Sequence, residues 1–340
     1  MNKGKTYQDE EEAQAQIDIW RFALGFTEMA VVKCAIELGI ADVLETHKAP
    51  VTLTDLSFSL GCSLSALYRI MRFLTHRRIF KEIATETYDQ TSLSRLLLRN
   101  NEKSMADLIL LESSPVMLDP LIRLRGRVLS DGSPAFDASH RGDDIWRYTE
   151  KNPGHGKLFD DGMACDAKVG VSSMIEGCLE VFNGIKSMVD VGGGNGATME
   201  KLIEACPWIC RGINFDLPHV VAVAPERPGV EHVGGDMFKS VPRADVVFLK
   251  ECIQILKNCK QAIPKETGKV IIVEAVVDEG DSEDKFKDIV LLLDMVIMAH
   301  TTNGKERTSK EWAYVLNEAG FSHYTVRRIH STQSVIEAYP

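Results

Sequence analysis

Apolar residues at helical spacing dominate the first hundred residues of the chain. They recur every three or four positions over residues 20–44, a spacing that predicts a long amphipathic helix. Thr54 is predicted to cap a short helix that ends at Gly61, and Ser63 is predicted to cap the next helix. Two short strand-like segments before residue 90 predict a small hairpin. Helix, turn, helix and hairpin in this order are typical of a winged helix.

From residue 187 onward, strand-like apolar segments alternate with helical patterns. The strand-like segments are residues 187–191, 212–215, 230–233, 244–249 and 270–274. The helical segments are residues 198–206 and 251–263. This alternation predicts parallel strands in a doubly wound sheet. We therefore expect an α/β fold with two domains: a helical, winged-helix-like domain over residues 1–125 and a Rossmann-like sheet domain over residues 126–340.

The charge balance decides between two uses of the winged-helix pattern. The second helix of that pattern carries several basic side chains, as a DNA-reading helix does: Arg69, Arg72, His76, Arg77 and Arg78. The chain as a whole has a net charge of −10, which repels phosphate groups. We therefore favour a packing domain over a winged-helix regulator, and expect no nucleic-acid partner.

Membrane and metal partners are also not expected. No apolar run reaches the ~18 residues that a membrane span needs, and the first residues lack the apolar core of a secretory signal. The eight cysteines show no C-x-x-C spacing, so we expect free thiols and no metal site. A cytoplasmic location is the expectation that follows.

A glycine-rich run directly after the first predicted strand of the sheet indicates a nucleotide site. Glycines over residues 192–196 permit a tight strand-to-helix turn and let a ligand approach the backbone closely. Asp216 ends the next predicted strand, where its carboxylate can accept hydrogen bonds from two ribose hydroxyls. The glycine spacing alone also fits a dinucleotide, because Gly192, Gly194 and Ala197 satisfy that fingerprint.

Two further features favour a sulfonium nucleoside over a dinucleotide. Asp190 precedes the first glycine, where a negative charge suits a cationic ligand better than a pyrophosphate. Asp236 and Met237 follow the third predicted strand, and supply a carboxylate for an exocyclic amine and a thioether for an adenine face.

At these residues the chain resembles the plant small-molecule O-methyltransferases that use S-adenosylmethionine. The runs that carry the resemblance are VDVGGGNG, INFDLPHVV, GVEHVGGDMF, ADVVFLK, ILKNC, GKVIIVEAV and DMVIMAHTTNGKERT. The resemblance implies a homodimer built on the N-terminal domain, and a small hydroxylated aromatic acceptor of flavonoid, phenylpropanoid or benzylisoquinoline type. It implies a cofactor site at Gly192, Asp216, Asp236, Met237 and Lys250. It also implies acceptor-pocket residues at Phe159, Met163, Val296 and Ile297, with Asp166 as a candidate contact.

The chain departs from this family where the family carries its general base. In the family, a segment of the form W-x-L-H-D-W-x-D-x follows the FLK run, and its histidine is the base. Here Glu251 follows Lys250 at once, so about ten residues are missing and the connection is shorter than the usual ~2–6 residues. We expect local distortion of the strand end or of the first helical turn. Glu274 and Glu306 match the glutamates that orient the histidine, and are the catalytic residues that remain.

Several hypotheses follow from this departure. The chain is an O-methyltransferase whose activity is impaired, or a catalytically silent cofactor-binding partner of an intact paralogue. His300 is a weaker candidate for a substitute base, while His155, His219 and His232 are interpreted as turn or surface residues. A misassigned exon boundary or an alternative transcript would also explain the missing segment.

Overall fold

The chain forms two compact units, Met1–Pro115 and Val116–Pro340. The computed structural model describes residues 7–47, 49–129, 135–249, 253–280 and 284–340. The domain boundary expected from the sequence, between residues 125 and 126, lies ten residues beyond the division between these units.

The first unit packs helices against a small sheet around one apolar core. Its helices are α1 (Tyr7–Leu38), α2 (Ile40–His47), α3 (Leu53–Leu60), α4 (Leu64–His76) and α5 (Ala106–Glu112), with a short 3₁₀ helix at Ser94–Leu97. Its strands β1 (Val51–Thr52), β2 (Lys81–Ala84) and β3 (Thr87–Asp89) form a sheet in the order β1-β3-β2. The predicted hairpin is therefore confirmed as β2 and β3, which pair antiparallel.

Local capping explains where α3 and α4 begin. The hydroxyl of Ser63 accepts from the N–H of Ala66 at 3.5 Å, which confirms the predicted cap of α4. The prediction for α3 is wrong by two residues, because Thr52 and not Thr54 is its cap and accepts from the N–H of Asp55 at 3.2 Å. Gly61 ends α3 in the left-handed conformation, with φ of 62°.

The second unit contains a twisted sheet between layers of helices. Its helices are α6 (Pro115–Ile122, which starts at the unit boundary), α7 (Leu124–Leu129), α8 (Ala135–Ser139), α9 (Ile145–Lys151), α10 (Pro153–Cys178), α11 (Ala197–Ala205), α12 (Pro218–Val221), α13 (Ile253–Ala262), α14 (Lys287–His300) and α15 (Ser309–Glu318). A 3₁₀ helix follows α10 at Leu179–Phe182. Its strands are β4 (Ser187–Val191), β5 (Arg211–Asp216), β6 (Val230–Gly234), β7 (Val246–Leu249), β8 (Lys269–Val277), β9 (Arg307–Thr308), β10 (His323–Arg328) and β11 (Gln333–Tyr339).

The strand order places a crevice at the end of β4. The order is β10-β11-β8-β7-β4-β5-β6, with β9 paired to β8. Strands β4 to β8 are parallel to one another, which confirms the predicted doubly wound sheet, while β11 runs antiparallel to both β8 and β10. The chain leaves β4 toward β5 and β6 and then returns to β7 on the other side of β4. At such a reversal, ligands bind outside the carboxyl ends of the strands.

Alternate residues of the strands enter two separate cores. On β4, Val189 and Val191 face a core that includes α13 and α15. Met188 faces the other core, which includes α10 and α11. These parallel strands are buried on both faces, so their apolar residues form nearly continuous runs.

The remaining sequence expectations concern membrane, thiols and metal. Among the described helices, none is long and apolar enough to cross a bilayer. The seven described cysteines are free, and four of them are buried, as expected. Within the described ranges no cluster of three or more metal-binding side chains occurs.

Candidate functional site

The glycine run lies at the end of β4 and opens its backbone toward the crevice. The N–H of Gly192 donates to the carbonyl of Phe215 at 2.8 Å, which holds the loop against β5. Gly192 and Gly194 have φ of 75° and 57°, a region that strongly favours glycine. A Cβ built at either position would have nothing within 4 Å. A ligand can therefore approach the backbone of these two residues closely.

Gly193, unlike Gly192 and Gly194, has no room for a side chain, because it packs directly on side chains of β4 and β5. A Cβ at this position would lie 2.1 Å from Oδ1 of Asn214 and 2.6 Å from Oδ2 of Asp190. Asp190 itself is only 4% exposed. The expectation that Asp190 faces a cationic ligand is therefore wrong: residue alternation places its side chain under the loop, where it supports Gly193.

Two carboxylates lie at the ends of the strands beyond the loop. Oδ2 of Asp216 accepts from the N–H of Gly194 at 2.8 Å, and its Oδ1 accepts from the N–H of Leu217 at 2.7 Å. Strand β6 ends beside Asp216, because Asp216 pairs with Gly234. Asp236 follows two residues later and accepts from the N–H of Phe238 at 3.0 Å. Each oxygen keeps a further acceptor site, so both carboxylates can still bind donors of a ligand.

Met237 and Lys250 complete the set of cofactor residues expected from the sequence. Met237 is partly buried against the core, and its carbonyl accepts from Nδ2 of Asn258 at 2.8 Å. Lys250 lies outside the described residues, as does the predicted distortion around Lys250 and Glu251. The described neighbours of that point are Leu249, which ends β7, and Ile253, which begins α13.

The acceptor residues expected from the sequence lie on two helices of the second unit. On α10, the ring of Phe159 meets Trp146 edge to face at 5.7 Å between centroids, and Met163 is 38% exposed. Oδ2 of Asp166 accepts from Nε2 of Gln333 at 2.9 Å. Val296 and Ile297 are partly buried on α14. Their contact with an acceptor remains a prediction.

Asp160 of α10 is influenced by the charge of Asp216. Partial desolvation, followed by the charges of Asp161 and Asp216, raises the pKa of Asp160. Helix α10 thus carries a carboxyl group that interacts electrostatically with Asp216, one of the cofactor residues expected from the sequence.

The two glutamates that match the family's catalytic pair belong to neighbouring strands. Glu274 lies in β8 and is partly buried. Glu306 immediately precedes β9, which pairs with β8 through Val276 and Arg307. Its backbone N–H donates to Oδ1 of Asp294 at 2.9 Å. The tertiary structure therefore places Glu306 beside the strand that contains Glu274, although the two residues are thirty-two positions apart in the chain.

The structure argues against His300 as a substitute base. This ring is 4% exposed, and its Nε2 donates to the carbonyl of Met117 at 2.9 Å. It also meets the ring of Phe136 edge to face at 5.9 Å. His300 therefore packs inside the unit instead of facing an acceptor.

The buried state of His300 predicts a pH-dependent stability. Burial lowers the pKa of His300, and the hydrogen bond to Met117 opposes this effect. The unfolded chain then takes up a proton at a higher pH than the folded chain, so this contribution to stability is present above about pH 6.5 and is lost as the pH falls below it. It changes by at most ~1.4 kcal/mol per pH unit. We expect the melting temperature of H300Q to fall less between pH 8 and pH 5.5 than that of the parent chain; equal falls would contradict the assignment.

Three residues near the glycine loop were not found from the sequence. Asn214 lies in β5, and Nδ2 of this residue donates to the carbonyl of Gly194 at 2.8 Å. His232 lies in β6 and Arg227 precedes that strand, and both contact the same region. The interpretation of His232 as a surface or turn residue is wrong, as is that of His155, which lies within α10 and has a buried Nε2. A polar asparagine inside an otherwise apolar strand was the available signal.

The residues of the crevice fit S-adenosylmethionine. Its ribose hydroxyls and adenine amine can donate hydrogen bonds to the carboxylates of Asp216 and Asp236. Its positively charged sulfur is attracted by carboxylates. The open backbone at Gly192 and Gly194 provides the close approach that this nucleoside needs. Bound there, the cofactor would supply a methyl carbon on a good leaving group.

Comparisons with known proteins give the family to which the chain belongs. The model of the O-methyltransferase domain matches residues 124–322, and that of the O-methyltransferase dimerisation domain matches residues 20–100. An acetylserotonin O-methyltransferase from Arabidopsis thaliana is 47% identical, over 97% of this chain and 94% of that protein. A flavonoid 4'-O-methyltransferase from Mentha piperita is 42% identical, over 97% of this chain and 99% of that protein. The chain therefore belongs to the S-adenosylmethionine-dependent O-methyltransferase family.

A solved methyltransferase shares the fold of this chain, and the sequence alignments show that two relatives carry additional residues. A methyltransferase of calicheamicin biosynthesis, solved in its SAH-bound form, superposes with a TM-score of 0.80 at 25% identity, over 96% of this chain and 98% of that chain. The alignments with the Arabidopsis and Mentha relatives extend over 359 and 347 positions, which exceeds the 340 residues of this chain. Both relatives thus carry residues that this chain lacks.

Proposed function

We propose that the chain transfers a methyl group from S-adenosylmethionine to a phenolic hydroxyl of a small plant aromatic compound, with reduced activity, and that it does so as a homodimer. The observation that supports this most is the open backbone of Gly192 and Gly194 beside the carboxylates of Asp216 and Asp236. The acceptor would be a flavonoid, phenylpropanoid or benzylisoquinoline, against Phe159, Met163, Val296 and Ile297. The cytoplasmic location and the absence of a nucleic-acid partner stay predictions.

The proposed reduction in activity follows from the chemistry of the acceptor. A phenol has a pKa of ~10, so near neutral pH it is mostly protonated and weakly nucleophilic. Methyl transfer is an in-line displacement that positioning alone accelerates, but a base that removes the phenol proton adds ~10²–10⁴-fold. Without the histidine segment, Glu274 and Glu306 are the carboxylates left to take that proton. Both aligned relatives carry residues opposite gaps in this chain, which supports the loss of a segment.

A catalytically silent role is the second candidate. A chain that keeps the dimerisation domain and the cofactor crevice but lacks the general base could pair with an intact paralogue. The same gaps in this chain favour this candidate. Turnover by the purified homodimer separates the two candidates, because a silent partner has none.

The experiment for the proposed function measures cofactor binding and turnover separately. Calorimetry should show binding of S-adenosylhomocysteine, and D216A should weaken it about tenfold or more, because a hydrogen bond to a charged group contributes ~1.5–3 kcal/mol. The matched control, E266A, removes an exposed carboxylate and should bind as the parent does. Radiolabelled methyl transfer to catechols, flavonoids and benzylisoquinolines then measures turnover. Binding of NADH but not of S-adenosylhomocysteine would contradict the proposal.

A further inference from the structure

Three polar side chains form a row across adjacent strands directly below the glycine loop. Asp190 of β4 is in register with Asn214 of β5, and Asn214 is in register with His232 of β6. The neighbours on this face of the sheet are apolar: Met188 and Val230 belong to the core beside α10 and α11. Buried polar side chains in an apolar layer cost stability unless they are hydrogen-bonded. The hydrogen bonds that these side chains form therefore indicate what the row does.

Asn214 connects the sheet to the loop. Asn214 is fully buried. Its Nδ2 donates to the carbonyl of Gly194 at 2.8 Å and to Nδ1 of His232 at 3.0 Å. The orientation of this amide is determined by its partner, because a carbonyl oxygen only accepts and the atom facing it must be the NH₂ group. Oδ1 of Asn214 is buried and accepts no hydrogen bond from the described residues. The amide therefore acts through its two donors.

His232 orients Asn214 in turn. Nε2 of His232 lies 3.0 Å from the carbonyl of Pro225, so this nitrogen carries the proton and donates. Nδ1 is then the acceptor for Asn214, and the two contacts define which ring nitrogen donates and which accepts. A Cβ at Gly196 would lie 2.9 Å from Cε1 of His232, so the ring also packs against the last glycine of the loop.

Arg227 holds the other side of the same loop. Its Nε donates to the carbonyl of Asn195 at 2.8 Å, and its guanidinium forms an ion pair with Glu200 of α11. The carbonyls of Gly194 and Asn195 are thus both held by side chains. The N–H of Gly194 is left to donate to Asp216, on the side where the nucleoside would bind.

We propose that Asn214 and His232 are positioning residues for the cofactor, which set the conformation of Gly194 and thereby its contact with Asp216. This inference rests on the proposed function, because it concerns the same crevice. Neither side chain needs to touch the cofactor. Removal of the Asn214 donor leaves the carbonyl of Gly194 unpaired and frees the loop to rotate, so the cofactor binds a conformation that is less populated.

The test compares two substitutions of His232 with N214L, which removes the side-chain amide of Asn214. In H232N, the short side chain of asparagine places its amide oxygen near the position of Nδ1, so Asn214 keeps an acceptor. In H232Q, the longer side chain of glutamine places its amide near the position of Nε2, so Asn214 loses its acceptor. We expect H232N to bind S-adenosylhomocysteine within about threefold of the parent chain, and H232Q and N214L to bind about tenfold or more weakly. Where turnover is measurable, KM for S-adenosylmethionine should rise while kcat and the acceptor KM change little. Thermal unfolding of each apo variant reports whether it folds.

The outcomes separate this inference from the proposed function. A parent chain that does not bind S-adenosylhomocysteine overturns the proposed function. A parent chain that binds, with H232Q equal to H232N, overturns the positioning role. Equal weakening in both His232 variants, in proportion to a lower melting temperature, assigns the row to stability alone and also overturns it. If N214L does not fold, the pair of His232 variants decides.

Discussion

Methyl transfer should rise by about 10²–10⁴-fold when the family's histidine segment is inserted between Lys250 and Glu251, because a positioned general base contributes that factor. The insertion point lies between Leu249, the last residue of β7, and Ile253, the first of α13. Carboxyl ends of parallel strands are where this fold binds ligands, so the inserted histidine reaches the acceptor side of the crevice. Radiolabelled transfer to the same acceptor panel measures the gain.

The control for this experiment is the same insert with alanine in place of its histidine. It should restore the length of the connection but not the rate. In the restored protein, E274Q and E306Q should each lower kcat, since these carboxylates would orient the histidine. An equal gain with both inserts would show that the segment acts by shaping the crevice, and no gain with either would show that our account of the missing base is wrong. Genomic sequence at the codons for Lys250 and Glu251 would show whether the parent gene encodes the segment.

Substitution of Gly193 by alanine should reduce binding of S-adenosylhomocysteine by about 100-fold or more. The new Cβ would lie 2.1 Å from Oδ1 of Asn214 and 2.6 Å from Oδ2 of Asp190, distances that real Cβ atoms do not show. Neither oxygen can retreat easily, because both side chains are buried between strands and helices. The loop must therefore rise toward the crevice and occupy space that the nucleoside needs.

Gly126 provides the matched control for this substitution. It lies in α7, and a Cβ there would have nothing within 4 Å, so G126A should bind the nucleoside as the parent does. Calorimetry measures the affinity, and circular dichroism reports whether each variant folds. A G193A protein that binds normally would falsify the assignment of the loop as the cofactor site.

Much of the fold could be predicted because its determinants are close together in the chain. The glycine run after β4, the cap at Ser63 and the alternation of strand and helix each depend on residues within one or two turns of each other. The error at the start of α3 was also local: two threonines stand two residues apart, and only the one whose hydroxyl accepts from Asp55 caps the helix. Spacing alone does not distinguish two candidates so close together.

The expected cofactor residues rest on the same kind of local signal. Asp216 follows its strand directly, and in a parallel sheet the carboxyl ends of neighbouring strands meet at one edge. Asp190 was placed wrongly because sequence order says that it precedes the loop but not on which face of the sheet it lies. The role of His232 depends on its register with Asn214, eighteen residues earlier, and that register is not visible in either segment alone.

Local patterns therefore predict the order of elements, the parallel character of the sheet and the chemistry of its glycine loop, because periodicity and capping act between near neighbours. Which polar groups meet depends on the packed fold: Asp190 lies under Gly193, Asn214 lies against Gly194 and His232, and Glu306 lies beside the strand of Glu274. Such contacts join residues far apart in the chain, and they follow from strand register and side-chain direction, which are set when the sheet and its helices pack together.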